Sequence, residues 1–322
     1  MKRRDVLGLL GLAPLLARAQ QQKVHRVGVL ETTSLRLNAE NFERFRQGMH
    51  ERGYVEGPSL VILYRSPEGH TFRFGELAAE LVKQKVDLIV TRGTPATLAA
   101  KQASSSIPIV MVAVGDPVES KLVESLPRPG GNVTGLTSAT NELVPKRLEL
   151  LKALVPKMTR VAAYTNLSNV ASAAAWREIE ASARAMGLEP QLLDVRTPEQ
   201  IEPAFAEAAR QGAQGLMVGI ETLTQSNRKM IVQLAAKYRL PAMYSARDFV
   251  DDGGLISYGV NYAELYYRAA DYADRILKGA SPAELAIERP TKFSLFIHRR
   301  TARALGVVIP PDLLLRSDRM ID

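Results

Sequence analysis

From position 26 onward, short runs of β-branched and aliphatic residues alternate with longer stretches of helical period. The runs at 27–30, 60–64, 87–91, 109–113 and 133–137 have few polar interruptions, the pattern of strands covered on both faces. Amphipathic stretches at 41–52, 74–83 and 95–102 lie between them, with Gly53 closing the first and Pro95 opening the third at its first helical position. A second set follows a helix at 142–154: strands at 160–164, 189–194, 215–218 and 242–244, separated by helices at 170–186, 198–210 and 225–239. A strand at 255–257, a helix at 262–277, a strand at 292–297 and a short helix at 301–305 complete the chain. This rhythm predicts an α/β fold of two doubly wound parallel-sheet lobes. The last portion is too small for a third domain, so it is expected to complete the first two, crossing near Gly259 and again near Arg289 and Pro290. Lobe one is then 24–139 with 260–288, lobe two 140–259 with 289–322, and the several crossings make a hinge.

The first residues read differently. Lys2, Arg3 and Arg4 precede an apolar run from Val6 to Leu16, and Ala17-Arg18-Ala19 offers a small-x-small cleavage site before Gln20. Residues 1–19 are therefore expected to be a secretory signal, its apolar run well short of the roughly 20 residues a spanning helix needs. The Arg3-Arg4 pair also fits a twin-arginine export address. The precursor carries +8; the signal holds four cations against Asp5, which leaves +5 for the remainder. Acids and bases are mixed along that remainder, with no basic-aromatic cluster suited to a nucleic-acid backbone. The chain contains no cysteine, which excludes disulfides, thiol chemistry and a lipidated N-terminal Cys.

Candidate chemistry is sought where α/β sheets present it, in the loops after the strands. In the first half these loops offer Thr33 and Ser34, then Gly93-Thr94-Pro95-Ala96 at a helix start, then Asp116 ahead of Pro117. The glycine, hydroxyl and helix start suit a carboxylate, while Asp116 suits a cationic group or an N-cap. In the second half they offer Asn166 and Asn169, Glu221 and Thr222, and Tyr244. Tyr262, at a helix start beside a crossing, is placed to offer an aromatic face to a cleft; Tyr266, on the same face, is expected in the core. No phosphate loop, dinucleotide fingerprint, nucleophile elbow or zinc-protease motif occurs. The histidines, His25, His50, His70 and His298, have no spacing of a metal site. Neither a cofactor nor catalytic residues are expected.

Five stretches carry a resemblance: FRQGMHERGYVEGPSLVILYRSPEG, ELAAELVKQKVDLIVTRGTPATLAAKQ, IPIVMVAVGDPVESKLVESLPRPGGNVTGLTS, KRLELLKALVPKMTRVAAYTN and FSLFIHRRTARALGVVIPPDLLLRSD. Together they resemble the ABC transporter substrate-binding proteins related to the tryptophan-binding components of bacterial uptake operons. The resemblance implies a type 1 periplasmic-binding-protein fold with three crossings. It also implies a periplasmic solute-binding role for a monomer that closes on a small polar ligand, an amino acid or related carboxylate, and docks transiently on an ABC permease. Tryptophan-binding members tend to carry an acid soon after the residue matching Asn166; here Leu167, Ser168 and Val170 stand there, so Asp116 or Glu221 is the expected partner of a ligand ammonium. The other readings are a ligand sensor that presents the same clamp to a receptor, and an α/β hydrolase or transferase.

Overall fold

The computed structural model describes residues 23–322; the signal segment read at 1–19 lies outside the described residues. The first sheet is built from β1 (His25–Leu30), β2 (Leu60–Arg65), β3 (Leu88–Arg92), β4 (Ile109–Val114) and β5 (Val133–Thr137), with α1 (Ala39–Glu51), α2 (Phe74–Lys83) and α3 (Gly93–Ala103) between them. Its strands run parallel in the order β2-β1-β3-β4-β5. Every residue of β3 and β5 is buried, as their unbroken apolar sequences require of strands with helices on both faces.

The chain then enters the second sheet through α4 (Val144–Leu154). It forms β6 (Arg160–Thr165), α5 (Val170–Ala185), β7 (Glu189–Asp194), α6 (Ile201–Arg210), β8 (Gly215–Val218), α7 (Thr222–Ser226), α8 (Arg228–Lys237), β9 (Ala242–Tyr244), α9 (Arg247–Asp251) and β10 (Ile256–Val260). It returns to the first sheet as α10 (Tyr262–Leu277), which packs on α1 and on β3, β4 and β5. It ends in the second sheet as β11 (Phe293–His298), α11 (Arg299–Leu305), α12 (Pro311–Arg316) and β12 (Arg319–Ile321). The second sheet has the order β12-β11-β10-β9-β8-β6-β7.

The two sheets share one logic. In the first, β1 and β3 are neighbours while β2 lies outside them, so the loops leaving β1 and β3 depart to opposite faces; β6 and β8 stand in the same relation in the second. A crevice opens at the carboxyl ends of the strands at each such reversal. Helices cover both faces of each sheet. Phe45, Met49, Tyr266 and Ala270 pack with β1, β3 and β4 on one side of the first sheet, and Leu77, Leu81, Ala96 and Ala100 on the other. Burying one large apolar side chain in such a layer contributes about 1.5–3 kcal/mol.

Several details differ from the sequence pattern. The pairing of β10 with β11 is antiparallel, within sheets otherwise parallel. One strand leaves the second sheet for α10 and the other returns from it, so the two must run in opposite directions. Helix α3 begins at Gly93, which makes Pro95 its third residue rather than its first; the missing N–H still falls in the first turn, where no intrahelical partner exists. The segment expected as one helix at 225–239 is two, because Glu221 caps a helix that starts at Thr222 and the Asn227 side chain takes up the Leu223 carbonyl at its end. The segment at 198–210 opens with a tight 3-10 turn, Pro198–Gln200, before α6. The elements α12 and β12 were not anticipated.

Three chain segments link the sheets: β5 to α4, β10 to α10, and the run from α10 to β11. Arg147 of α4 fastens two of them, donating from Nε to the Tyr258 carbonyl (2.6 Å) and from Nη1 to the Thr140 carbonyl (3.0 Å). No carboxylate neutralises this buried guanidinium, and desolvation lowers its pKa to about 10. Just ahead of the first crossing, the register of β4 against β5 shifts between Met111 and Val114. There Gly135 has φ +128°, and a Cβ would lie 2.2 Å from the Met111 carbonyl oxygen. Only glycine permits that approach.

Candidate functional site

The carboxyl ends of the two sheets face each other across a cavity of about 90 Å³. The first sheet contributes Thr32 from the end of β1, Arg92 from the end of β3, and Gly93, Thr94 and Pro95 from the start of α3. The second contributes Tyr164 from β6, Asn169 and one face of α5, and Gly219 to Thr222 after β8. Ser138, Thr140 and Asn141 of the first crossing, with Tyr262 at the start of α10, line the hinge side. Each wall thus rests on the reversal point of its own sheet.

Among the described residues lining this cavity, the cation is Arg92 and the carboxylate is Glu221, one from each sheet. Arg92 is held from three directions. Its Nη1 donates to Asn38 Oδ1 (3.1 Å) and lies 3.9 Å from Glu31 Oε2, and its guanidinium sits over the Tyr262 ring, 4.6 Å from the centroid. Its Nη2 is buried and makes no hydrogen bond within the described residues. The same holds for the hydroxyls of Thr32 and Thr94 on this wall. These three groups, together with the free backbone N–H groups at the start of the 11-residue helix α3, form a donor-rich surface suited to an anion.

Behind Arg92, Glu31 is fully enclosed: Oε2 accepts from the Thr32 backbone N–H (3.2 Å) and Oε1 accepts from the Tyr266 hydroxyl. Desolvation raises its pKa to about 7, opposed chiefly by the Arg92 charge.

The opposite wall has the opposite character. Glu221 Oε1 accepts from the Thr224 backbone N–H (3.1 Å), and Thr224 Oγ1 accepts from the Glu221 N–H (2.9 Å). This reciprocal capping box fixes the carboxyl group. Glu221 Oε2 remains buried and unbonded within the described residues, as do the hydroxyls of Tyr164 and Thr222. Desolvation raises the Glu221 pKa to about 7, against hydrogen bonds from Thr224, Leu223 and Asn166. A buried carboxyl with a free oxygen favours a cationic partner. Beside it the wall turns apolar, with Ala171, Ala175 and Ile179 on one face of α5 and Ile220 after β8.

The lobes are closed on each other. At the cleft's edges Arg177 pairs with Glu119 (2.6 Å) and Arg247 with Glu40 (3.8 Å), each joining one lobe to the other. These pairs are solvent-exposed and contribute at most about 1 kcal/mol apiece.

Residues 27–321 match the family described as ABC transporter substrate binding protein. The chain belongs to that family. A tyrosine-binding protein of Clostridioides difficile (strain R20291) is 29% identical to it over 263 residues, 82% of this chain and 75% of that protein. Among solved structures, a conserved domain protein of Vibrio cholerae superposes with a TM-score of 0.86 at 26% identity, covering 92% of this chain and 100% of that one. A domain from Streptococcus pneumonia in complex with L-Trp superposes at 0.84 with 26% identity, covering 93% and 100%. Membership in this family makes the protein a solute-binding protein rather than an enzyme, and the hydrolase reading ends there.

In this binding protein the residues singled out by sequence separate into three groups. Gly93, Thr94, Pro95, Asn169, Glu221, Thr222 and Tyr262 line the cavity. Thr33, Ser34, Ala96 and Asn166 stand behind it. The Thr33 carbonyl accepts from the Tyr64 hydroxyl, Ala96 is packed under α3, and Asn166 Oδ1 accepts from the Ser168 N–H and hydroxyl. Asp116 and Tyr244 lie elsewhere. Asp116 is exposed and its Oδ1 accepts from the Val118 and Glu119 N–H groups at 2.9 Å each, which makes it a turn cap. Tyr244 is buried in the core, stacked on Phe249 at 4.8 Å.

Asp116→Ala is accordingly expected to cost about 1 kcal/mol of stability through the lost cap and to leave ligand affinity unchanged, which urea unfolding and calorimetry together will test. Sequence reasoning missed Arg92, Thr32, Tyr164 and the hydroxyls of the first crossing. For Arg92 a signal existed, since a charged residue closes an otherwise apolar buried strand.

Proposed function

We propose that this protein is the exported, periplasmic solute-binding component of an ABC uptake system, and that its ligand is an α-amino acid with an apolar or aromatic side chain. The observation that carries this is the pairing of Arg92 with Glu221 across one cavity, each with a buried, unbonded polar atom. A zwitterion satisfies both: its carboxylate meets Arg92 Nη2, Thr94 and the start of α3, and its ammonium meets Glu221 Oε2. The side chain then lies along Ala171, Ala175 and Ile179. The tyrosine-binding relative and the L-Trp complex support a ligand of this class. The bodies that open and close are 24–139 with 260–288 and 140–259 with 289–322, and the closed form docks as a monomer on the permease. Residues 1–19, read as a signal, support export.

A thermal-shift screen of the purified protein with the common L-amino acids, sugars and purines tests the ligand class. An amino acid at a hundredfold excess over its Kd is expected to add about 2.7 kcal/mol of stability. A shift from sugars alone would remove the amino-acid reading. Loss of uptake when the chain is deleted, restored by the wild type, tests the transport role.

A further inference from the structure

We propose that the contact between a ligand ammonium and Glu221 is what closes the lobes, so that a ligand's carboxylate alone gives binding without closure. The inference rests on the amino-acid reading above and deepens it.

The donors for a carboxylate, Arg92 Nη2, Thr32 Oγ1 and Thr94 Oγ1, all belong to the first sheet and its α3. They are in place whatever the second sheet does, because Asn38, Glu31 and Tyr262, which hold Arg92, come from the first sheet's loops and from α10 packed on it. A ligand can therefore dock there in the open protein.

Closure needs something from the second sheet that prefers the closed arrangement, since equal affinity for both states shifts nothing. The exposed edge pairs Arg177–Glu119 and Arg247–Glu40 are weak. The strong group is Glu221, the carboxylate that the second sheet brings to the cavity, fixed by its capping box with Oε2 free. Closing over an ammonium forms a desolvated charge pair. Closing over an uncharged carbon leaves Glu221 Oε2, Tyr164 and Thr222 buried without partners, which opposes closure.

The test compares L-tyrosine with its des-amino analogue, 3-(4-hydroxyphenyl)propanoate, on the wild type and on Glu221→Gln. The amide oxygen of glutamine can still accept from Thr224 N–H, so the helix cap is retained. Binding is read by calorimetry, and closure by small-angle scattering and by energy transfer between dyes on Lys83→Cys and Arg184→Cys, both exposed positions in a cysteine-free chain.

L-tyrosine is expected to compact the wild type. The des-amino acid is expected to bind about thirtyfold or more weaker and leave the protein open, and Glu221→Gln to handle L-tyrosine as the wild type handles the des-amino acid. Closure by the des-amino acid, or normal closure of Glu221→Gln, would overturn the proposal while leaving the amino-acid reading intact. Failure of the wild type to bind L-tyrosine, L-tryptophan or any other amino acid would overturn both.

Discussion

Arg92→Gln is expected to weaken binding of an α-amino acid by about a hundredfold or more, roughly 3 kcal/mol, the cost of removing one partner of a desolvated charge-assisted contact. The loss is specific to the carboxylate. Affinity for tyramine, which keeps the ammonium and the ring, is expected to change far less than affinity for L-tyrosine, and calorimetry on the two ligands separates the effects. The fold should survive, because Glu31, the group left behind, already has its carboxyl held toward the protonated form by desolvation and accepts from Thr32 and Tyr266 without Arg92. Arg92→Lys is expected to recover little. A lysine ammonium cannot lie over the Tyr262 ring, donate to Asn38 and present a further N–H to the ligand at once. An equal loss for tyramine and tyrosine would remove Arg92 from the carboxylate role.

How much of this was legible in the sequence follows from how local each cause is. The strands could be read because a strand buried on both faces needs an unbroken apolar run, and β3 and β4 have one. The position of the site could be read because ligands gather where strand order reverses, and the loops after β1, β3, β6 and β8 were all among the candidates. What did not show is which of the polar residues in those loops turns inward.

Asp116 and Glu221 have the same local signature, an acid after a strand and before a helix. Both cap the helix that follows. They differ only in that the second sheet's reversal point buries Glu221, whereas Asp116 follows β4, one strand away from the reversal in its sheet. Tyr244 follows the same rule, since it ends β9, and Phe249 of the next helix covers it. Arg92 was passed over because attention fell on the glycine and hydroxyl after it. The acid missing near Asn166, relative to the tryptophan-binding pattern, is replaced in this cavity by Glu221 from the neighbouring strand's loop. Three-dimensional neighbourhood supplies the carboxylate that the linear motif lacks.

Affinity for an amino acid is expected to pass through a maximum near neutral pH, with its two limbs belonging to two different glutamates. Both carboxyls have folded pKa values raised to about 7, in each case mainly by desolvation. Glu221 faces Tyr164, Asn166 and the Thr224 N–H. It binds an ammonium only when ionised, so below pH 7 the ligand must displace a proton and affinity falls toward tenfold per pH unit.

Glu31 faces Arg92, Tyr64, Tyr266 and Asn38. Above pH 7 it is ionised, shares the Arg92 charge and repels a ligand carboxylate beside the same guanidinium, so affinity declines again. Glu221→Gln should flatten the acid limb and Glu31→Gln the alkaline one; an alkaline limb that survives Glu31→Gln belongs to the ligand's own ammonium.

The sign for stability is separate. A folded pKa above the unfolded value means that the ligand-free protein holds protons which the unfolded chain releases. Stability from each group is therefore full below about pH 4.5 and is lost as pH rises through 7, by up to roughly 3 kcal/mol each. Saturating amino acid, by ionising Glu221 against an ammonium, is expected to remove that group's share of the loss. Melting curves at pH 5 and pH 8, with and without ligand, will then show a smaller pH dependence for the complex than for the free protein.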